Sequence, residues 1–215
     1  MHKKEIVIIG AGGLAYECYN YINRRIAAGD ESIAFKGFTS ADYSGLQAYG
    51  LDEYFLTDYN TCEFSKETLF VIGVGSPDAR KRIFEEFKEK GYSFYNLVAP
   101  TAIVAAHLLE NSQGNIFAEY STAFALEIGN ANLVGMFSGI AHHCKMGSFN
   151  VISGTCGING GCVVGDCNFM GTHSALLPKA KLGNSNKIAA GSIVYKGCKN
   201  NMLMQGNPAE KVGDA

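Results

Sequence analysis

An apolar residue returns at every sixth position along the second half of the chain. A period of six fits neither the 3.6-residue repeat of an α-helix nor the two-residue alternation of a half-buried strand. It is typical of a parallel β-helix, in which short strands joined by tight corners stack into coils. The pattern therefore predicts a rod whose interior is filled by these positions: Ile128, Val134, Ile140, Met146, Ile152, Ile158, Val164, Met170, Leu176, Leu182, Ile188 and Val194.

Small residues occupy two further places of the hexad, directly after the apolar position and four residues after it. The pattern resembles the left-handed form of the β-helix, in which three hexads make one triangular coil, and the 26 glycines suit its repeated corners. Ile116 keeps the six-residue register, but polar Thr122 breaks it, so the first coils are expected to be irregular. The tail leaves the register after Val194 and is predicted to close the chain in turns.

The first part of the chain alternates apolar runs with helical patterns, which favours a small parallel α/β sheet. Asp78 is the expected N-cap of the second helix. Pro100 marks the switch between a Rossmann-like domain over residues 1–99 and a β-helix domain over residues 100–215. The predicted strands are Glu5–Ile9, Ile33–Phe38, Thr68–Val74 and Tyr92–Leu97, and the predicted helices are Leu14–Ile26 and Ala79–Lys90.

Composition removes several classes of function. With 18 basic and 20 acidic residues, the net charge of −2 gives no basic footprint for nucleic acid. No apolar run approaches the roughly 18–20 residues that a membrane span needs, so no membrane partner is expected. The N-terminus lacks the apolar core and cleavage site of an export signal, which favours a cytoplasmic protein. Four of the seven cysteines fall at the small inward hexad position and are predicted to be reduced and buried: Cys144, Cys156, Cys162 and Cys198.

Two adjacent histidines, His142 and His143, are the strongest candidates for chemistry in the rod. Transfer of an acyl group from a thioester needs a base for the acceptor's proton, and histidine is suited to that task near neutral pH. Because neighbouring residues on a strand point to opposite faces, we expect one of the pair to point outward. A zinc site is disfavoured, since three converging imidazoles are not apparent, and no metal is predicted.

A glycine turn, Gly10–Gly13, follows the first strand and precedes the first helix. Backbone N–H groups of such a turn, together with the helix N-terminus, bind phosphate. Taken alone the turn is a weak indication of NAD. The small first domain, with too few strands for two mononucleotide halves, favours a single nucleotide.

The whole chain resembles the sialic-acid O-acetyltransferase type of sugar O-/N-acyltransferases, which includes acetyltransferases of nucleotide-linked amino sugars. The glycine turn joined to the rod narrows the resemblance to this family. It rests on segments in the right order: Ile6–Gly13, Val71–Gly75, Ala99–Val104, Ile140–Cys144 and Gly206–Ala209.

The resemblance implies roles for individual residues. It makes His142 the catalytic base, with His143 where the family often carries an acidic residue, and Gly160 the donor to the oxyanion. Relatives often carry histidine at the positions of Leu14 and Val151, so this chain departs from the family there. The implied acetyl-CoA contacts are Gly160, Ala189, Ala190, Lys196 and Pro208. The implied nucleotide-sugar contacts are Gly10, Gly12, Gly13, Asp42, Gly73, Gly75 and Ser76.

These expectations combine into one hypothesis. The protein is expected to transfer acetyl from acetyl-CoA to the amino group of a UDP- or dTDP-linked amino-deoxy sugar, as a homotrimer that serves polysaccharide biosynthesis. Acetylation of a sugar hydroxyl is the close alternative, and a passive trimeric scaffold is the second. The sequence leaves the identity of the sugar, the nucleotide and the acyl group open.

Overall fold

The computed structural model describes residues 3–61 and 63–215. Its N-terminal part is a parallel sheet with the strand order β3-β2-β1-β4-β5. The central strands are runs of apolar residues because helices cover both faces of the sheet. The strands are β1 (Lys4–Ile9), β2 (Ile33–Thr39), β3 (Phe55–Thr57), β4 (Leu69–Ile72) and β5 (Ser93–Phe94). The helices are α1 (Gly13–Ala27), α2 (Ser44–Gln47) and α3 (Pro77–Glu89), with a 3₁₀ turn at Asp52–Tyr54.

The N-cap of α3 differs from the prediction. Ser76 rather than Asp78 caps the helix, because the Ser76 hydroxyl accepts a hydrogen bond from the N–H of Ala79 at 3.5 Å. Pro77 occupies the first turn, where its missing N–H leaves no donor unpaired. Asp78 also lies in this turn, where its charge favours the positive end of the helix dipole.

The predicted strand Tyr92–Leu97 is divided between the two parts of the molecule. Ser93–Phe94 forms β5 at the edge of the N-terminal sheet. Leu97–Val98 instead pairs with Ile116–Phe117 and is the first strand of the rod. The division follows from the backbone hydrogen bonds, since the N–H of Tyr95 donates to the N-terminal sheet and that of Leu97 to the rod.

The rod is built from stacked strands, most of them two residues long, in three parallel sheets, consistent with a left-handed β-helix. We call them the docked sheet, on which the N-terminal part packs, the open sheet and the charged sheet. The docked sheet contains Leu97–Val98, Ile116–Phe117, Leu133–Val134, Val151–Ile152, Phe169–Met170, Lys187–Ile188 and Met202–Gly206, with antiparallel Ala209–Asp214 at its end. The open sheet contains Ile103–Val104, Thr122–Ala123, Gly139–Ile140, Gly157–Ile158, Ala175–Leu176 and Ile193–Val194. The charged sheet contains Glu127–Ile128, Lys145–Met146, Val163–Val164, Lys181–Leu182 and Gly197–Cys198, and α4 (Ala106–Glu110) precedes the regular coils.

The rod core confirms the hexad prediction. All twelve predicted apolar positions belong to one buried cluster, and the most exposed of them, Ile128, is only 7% accessible. Residues directly after these positions are small because the next coil lies close. A Cβ on Gly135, for example, would lie 2.7 Å from the carbonyl carbon of Ser153.

Both ends of the rod depart from the predicted register. Phe117 and Ala123, not Ile116 and Thr122, fill the core, because the coil from Phe117 to Val134 has one residue fewer than the coils that directly follow it. Ile116 points the other way, into the apolar cluster shared with the N-terminal sheet. Coiling also continues beyond Val194 through two more strands, the last of which forms a hairpin rather than loose turns. Cys198, predicted to be buried, is half-buried at this end.

The sequence predicts glycines at the tight corners of the rod, but most residues with positive φ at these corners are not glycine. His143 has a φ of 59° and Phe137 one of 58°. This conformation is unfavourable for L-residues by about 1–2 kcal/mol each. Hydrogen bonds between successive corners offset the cost, as when the N–H of Thr155 donates to the carbonyl of Met136 at 2.8 Å.

A ladder of buried asparagines runs up the corner between the charged and docked sheets. Each side-chain Oδ1 accepts the backbone N–H of the residue one coil later, at 2.8–3.0 Å. Within the ladder it also accepts the Nδ2–H of the next asparagine, at 3.0 Å. The ladder thereby satisfies polar groups that are sealed from water. Its members are Asn115, Asn132, Asn150, Asn168 and Asn186.

The N-terminal sheet and α1 pack on the docked sheet of the rod through one apolar cluster. A fully buried arginine, Arg80 of α3, links the two parts of the molecule, and among the described residues it has no carboxylate partner. Burial lowers its pKa to about 10, which leaves it charged at neutral pH. Its guanidinium donates to carbonyls at the end of β4 and in the rod, namely those of Ile72, Val74, Gly114, Ala131 and Asn132.

Candidate active site

A pocket of about 500 Å³ opens where β1 and β4 end and α1 begins. Six of the seven residues proposed to contact a nucleotide sugar line it, whereas Ser76 caps α3 and borders a neighbouring cavity. We call it the nucleotide pocket. The predicted residues that the structure brings together here are Gly10, Gly12, Gly13, Asp42, Gly73 and Gly75.

The glycine turn brings backbone donors to this pocket. Gly10 has a φ of 120°, and a Cβ there would lie 2.8 Å from the carbonyl oxygen of Gly73, so glycine lets the two turns approach. Gly12, the N-cap residue of α1, offers no side chain to the free N–H groups of the first helical turn. Those groups and the helix dipole make the pocket suited to an anionic ligand.

Asp42 also lines the nucleotide pocket. Its carboxylate accepts hydrogen bonds from the backbone N–H and the hydroxyl of Ser44, at 2.8 and 3.0 Å. These bonds hold the pKa of Asp42 below its usual value, so the group is a stable acceptor. An ionised acceptor beside a phosphate site is suited to the hydroxyl groups of a ribose.

A second cavity, of about 330 Å³, lies between α1 and the docked sheet. We call it the interdomain cleft. Leu14 and Gly75 line both it and the nucleotide pocket, so the two cavities adjoin. The cleft was not predicted from the sequence, although a signal was present: the outward hexad positions of three successive docked strands are apolar. These residues are Leu133, Val151 and Phe169.

His142 and His143 lie in the corner between the open and charged sheets, not on a strand. The expectation that only one of them points outward is therefore wrong, because both side chains leave the rod and are exposed. Their Nδ1 atoms are 2.8 Å apart and their rings are almost perpendicular, at 87°. One imidazole must donate and the other accept, so the pair shares one proton on this edge.

Gly160 stacks on His142 one coil later. A Cβ at Gly160 would lie 2.8 Å from Cε1 of His142, so the imidazole rests on the glycine. The N–H of Gly161 donates to the carbonyl of His142 at 3.0 Å and fixes the corner. A groove of about 400 Å³ runs from here across the open sheet, and small residues such as Gly139 and Gly157 form its floor.

The residues expected to hold acetyl-CoA are divided between different parts of the rod. Lys196 follows the open strand Ile193–Val194, on the side of that sheet where His142 and Gly160 lie. Ala189 and Ala190 lie at the other edge of the open sheet, in the corner after Lys187–Ile188. Pro208 is exposed in the turn of the terminal hairpin. Of the five, Gly160 and Lys196 thus share the edge of the predicted base.

Val151, where relatives often carry histidine, and the rod histidine His173 lie on other parts of the coil than His142. Val151 is buried on the docked sheet, 3% exposed, and contributes to the interdomain cleft. His173 occupies the corner between the docked and open sheets, where its Nδ1 lies 2.8 Å from the hydroxyl of Thr155.

The nucleotide pocket and His142 of one chain lie on opposite sides of the rod. The N-terminal part covers the docked sheet from one corner, where Arg24 pairs with Glu119, to the other, where Arg80 binds the carbonyl of Ala131. The corner that carries His142 joins the other two sheets. In a triangular coil this corner is the one opposite the docked sheet.

Within residues 3–61 and 63–215, no three His, Cys, Asp or Glu side chains are grouped closely enough to hold a metal ion. The same residues contain no helix with the length and apolarity to span a membrane. No family model matches the chain.

The fold is that of known acetyltransferases. The chain is similar to the acetyltransferase domain of PglB from Neisseria gonorrhoeae, at 18% identity and a TM-score of 0.82, over 98% of this chain and 100% of that one. It is similar to PerB from Caulobacter crescentus in complex with CoA and GDP-perosamine, at 20% identity and a TM-score of 0.83, over 97% of each chain. It is also similar to WeeI from Acinetobacter baumannii, at 18% identity and a TM-score of 0.80, over 96% of this chain and 99% of that one.

Proposed function

We propose that this protein is an acetyltransferase that moves acetyl from acetyl-CoA to the amino group of a nucleotide-linked amino-deoxy sugar. The observation that carries the proposal is the pairing of a glycine-lined anion pocket with an exposed imidazole on a β-helix. The shared fold adds support, since PglB's acetyltransferase domain has been seen with acetyl coenzyme A and PerB with CoA and GDP-perosamine. The Rossmann-like N-terminal sheet then holds a UDP, dTDP or GDP group through Gly10, Gly12 and Gly13.

The chemistry is direct attack of the amine on the thioester. Nε2 of His142 accepts a proton from the amine nitrogen as that nitrogen bonds to the carbonyl carbon. The C–S bond then breaks, and the CoA sulfur leaves and takes up a proton. The N–H of Gly160 donates to the oxyanion of the tetrahedral intermediate.

His143 sets the tautomer of the base in this scheme. For Nε2 of His142 to accept a proton, its Nδ1 must already carry one, which it donates to Nδ1 of His143. The pantetheine arm occupies the groove of the open sheet, with Lys196 near the phosphates of CoA. Ala189, Ala190 and Pro208 lie farther along the rod and contact CoA only if it extends across the open sheet.

The active site is shared between chains of a homotrimer. One chain cannot bring its own sugar to its own His142, because the rod separates the two. Exposed apolar side chains on the rod support an interface with further copies. They include Ile103 at 60%, Phe137 at 59%, Tyr120 at 54%, and Phe124 and Leu126 at 50%.

We assign the enzyme to the cytoplasm. Every cysteine that the structure describes is a free thiol, as a reducing compartment maintains. Cys62 lies outside the described residues. Acetyl-CoA is then the only co-substrate that the scheme requires, and no metal takes part.

The experiment that tests the proposal follows thiol release from acetyl-CoA in the presence of UDP-, dTDP- and GDP-linked amino sugars. Turnover with one of them is expected, and His142→Ala is expected to lower kcat by at least about 100-fold. His173→Ala is the matched control, since it removes an exposed corner imidazole elsewhere on the rod. Full activity of His142→Ala would remove this residue from the mechanism.

The alternative function is a passive scaffold, which the same protein and ligands can test by thermal denaturation. Ligands that bind the folded state must raise its melting temperature. An unchanged melting temperature with saturating acetyl-CoA and each nucleotide sugar would favour the scaffold over the enzyme.

A further inference from the structure

The interdomain cleft contains one ionisable side chain among the described residues that line it, the carboxylate of Glu17. Its other walls are mostly apolar and include Leu14, Leu133, Val151 and Phe169. The cleft adjoins the nucleotide pocket at Leu14 and Gly75, so a group attached to a bound nucleotide has a direct path into it.

The helix α1 aims Glu17 at this cleft. Leu14 and Glu17 are three residues apart and therefore lie on the same helical face, one turn from each other. The hydroxyl of Tyr21 donates a hydrogen bond to Oε2 of Glu17 at 3.2 Å and holds the carboxylate in place. Burial raises the pKa of Tyr21, so this hydroxyl stays protonated and remains a donor.

The carboxylate of Glu17 is free to bind a cation. Its side chain is exposed, and within the described chain it forms no ion pair. Arg24, two turns further along the same helix, pairs with Glu119 of the rod instead. Its Oε2 accepts the hydrogen bond of Tyr21, whereas Oε1 accepts no hydrogen bond from the described residues, and Glu17 lines a cleft of about 330 Å³.

A sugar diphosphate bound at the start of α1 brings its sugar ring beside Leu14. Glu17 lies one helical turn further, about 5 Å along the axis, which is about the width of a hexose ring. We propose that Glu17 binds the ammonium group of the acceptor sugar and so selects amino sugars over their hydroxyl counterparts. This rests on the proposed function. Glu17 acts in binding and orientation, and the bound ammonium loses one proton to solvent before it attacks the thioester as the amine.

The physical basis of the selection is the charge on the ligand. An ammonium donates a charge-assisted hydrogen bond to a carboxylate, whereas a hydroxyl donates only a neutral-to-ion bond of lower strength. The apolar walls offer a hydroxyl no better partner and suit the apolar edge of a deoxy sugar. Replacing the carboxylate by an amide keeps the shape of the side chain and removes this preference.

The test measures binding by calorimetry, without acetyl-CoA, for pairs of nucleotide sugars that differ only in an amino or a hydroxyl group on the sugar. UDP-, dTDP- and GDP-linked pairs are used, together with the three free nucleoside diphosphates. The wild-type protein is expected to bind the amino sugar about tenfold more tightly than the hydroxyl sugar. Glu17→Gln is expected to bind the two about equally and the nucleoside diphosphate as the wild type does. Glu31→Gln, an exposed neutralisation outside the cleft, is the matched control.

Two results would overturn the proposal and are distinct from failure of the proposed function. One is an amino preference that survives in Glu17→Gln, and the other is a wild-type protein that binds both members of a pair equally. In either case the nucleoside diphosphate still binds, and the proposed function stands. If no nucleoside diphosphate or nucleotide sugar binds, the proposed function fails and this inference fails with it.

Discussion

Removal of Asn150 from the asparagine ladder is a sharp test of how the rod is held together. Its Oδ1 accepts both the backbone N–H and the Nδ2–H of Asn168, at 2.9 and 3.0 Å. Asn150→Ala leaves both donors without an acceptor in a site that is 0% exposed. A buried unpaired donor costs about 1–3 kcal/mol, so the free energy of unfolding is expected to fall by roughly 2–5 kcal/mol.

The last rung supplies a matched control. Oδ1 of the buried Asn186 accepts only the N–H of Met202, at 3.0 Å, and Met202 is half-buried. Asn186→Ala removes the same atoms but leaves one unpaired donor, so a loss of about 1–2 kcal/mol is expected. Urea denaturation of both variants, followed by circular dichroism, measures the difference. A loss for Asn150→Ala no greater than that for Asn186→Ala would refute the view that the ladder stabilises the rod by pairing buried donors.

Three further predictions concern the site. Arg80→Lys keeps the positive charge but cannot bind all the carbonyls that Arg80 holds at the end of β4 and in the turn after it. The variant is expected to raise KM for the nucleotide sugar several-fold and to leave KM for acetyl-CoA unchanged. Equal changes in both KM values would contradict a role of Arg80 in shaping the nucleotide pocket. Gly160→Ala is expected to lower kcat at least about tenfold, because its methyl group displaces the imidazole of His142. Gly213→Ala, in the terminal hairpin where a Cβ meets only an ordinary contact, is expected to preserve kcat, and kinetic assays of both variants measure the difference. The pKa of Asp42 lies below its usual value, so its carboxylate stays ionised from pH 7 down to pH 5. The affinity for the nucleotide, measured by calorimetry, is therefore expected to stay constant over this range. A loss of affinity between pH 7 and pH 5 would contradict the role of Asp42 as an ionised acceptor.

The regular part of the rod could be predicted from the sequence because each hexad repeats the same physical requirement. Every coil must fill one apolar interior position and keep the next residue small. The buried position of Ile140 and Ile158 can therefore be predicted from their own hexads, without the rest of the chain. The start of the rod was not predicted correctly because one coil is a residue shorter, which shifts the register of the residues before it. Ala123 therefore lies in the core in place of Thr122, and no local sequence pattern indicates the shorter coil.

The candidate site could be predicted only in parts. The glycine turn depends on neighbouring residues in the chain, so Gly10, Gly12 and Gly13 were found from sequence. The interdomain cleft depends on which sheet of the rod packs against α1, and periodicity alone does not distinguish the three sheets. The alternation expected for His142 and His143 failed because corner residues at positive φ do not follow the alternation of a strand.

The central claim is that one chain binds the nucleotide sugar and another supplies His142. Mixed oligomers test it directly. His142→Ala removes the base, and Gly12→Asp adds a carboxylate in open space at the phosphate site while remaining a good N-cap for α1. Each variant alone is expected to be inactive.

The decisive measurement is the activity of oligomers assembled from equal amounts of the two variants. If the site joins two chains, random assembly unites an intact pocket with a neighbour's intact His142 at about a quarter of the sites, and about a quarter of wild-type activity returns. If each chain acts alone, no site has both parts. Mixed oligomers that form and remain inactive would contradict the account.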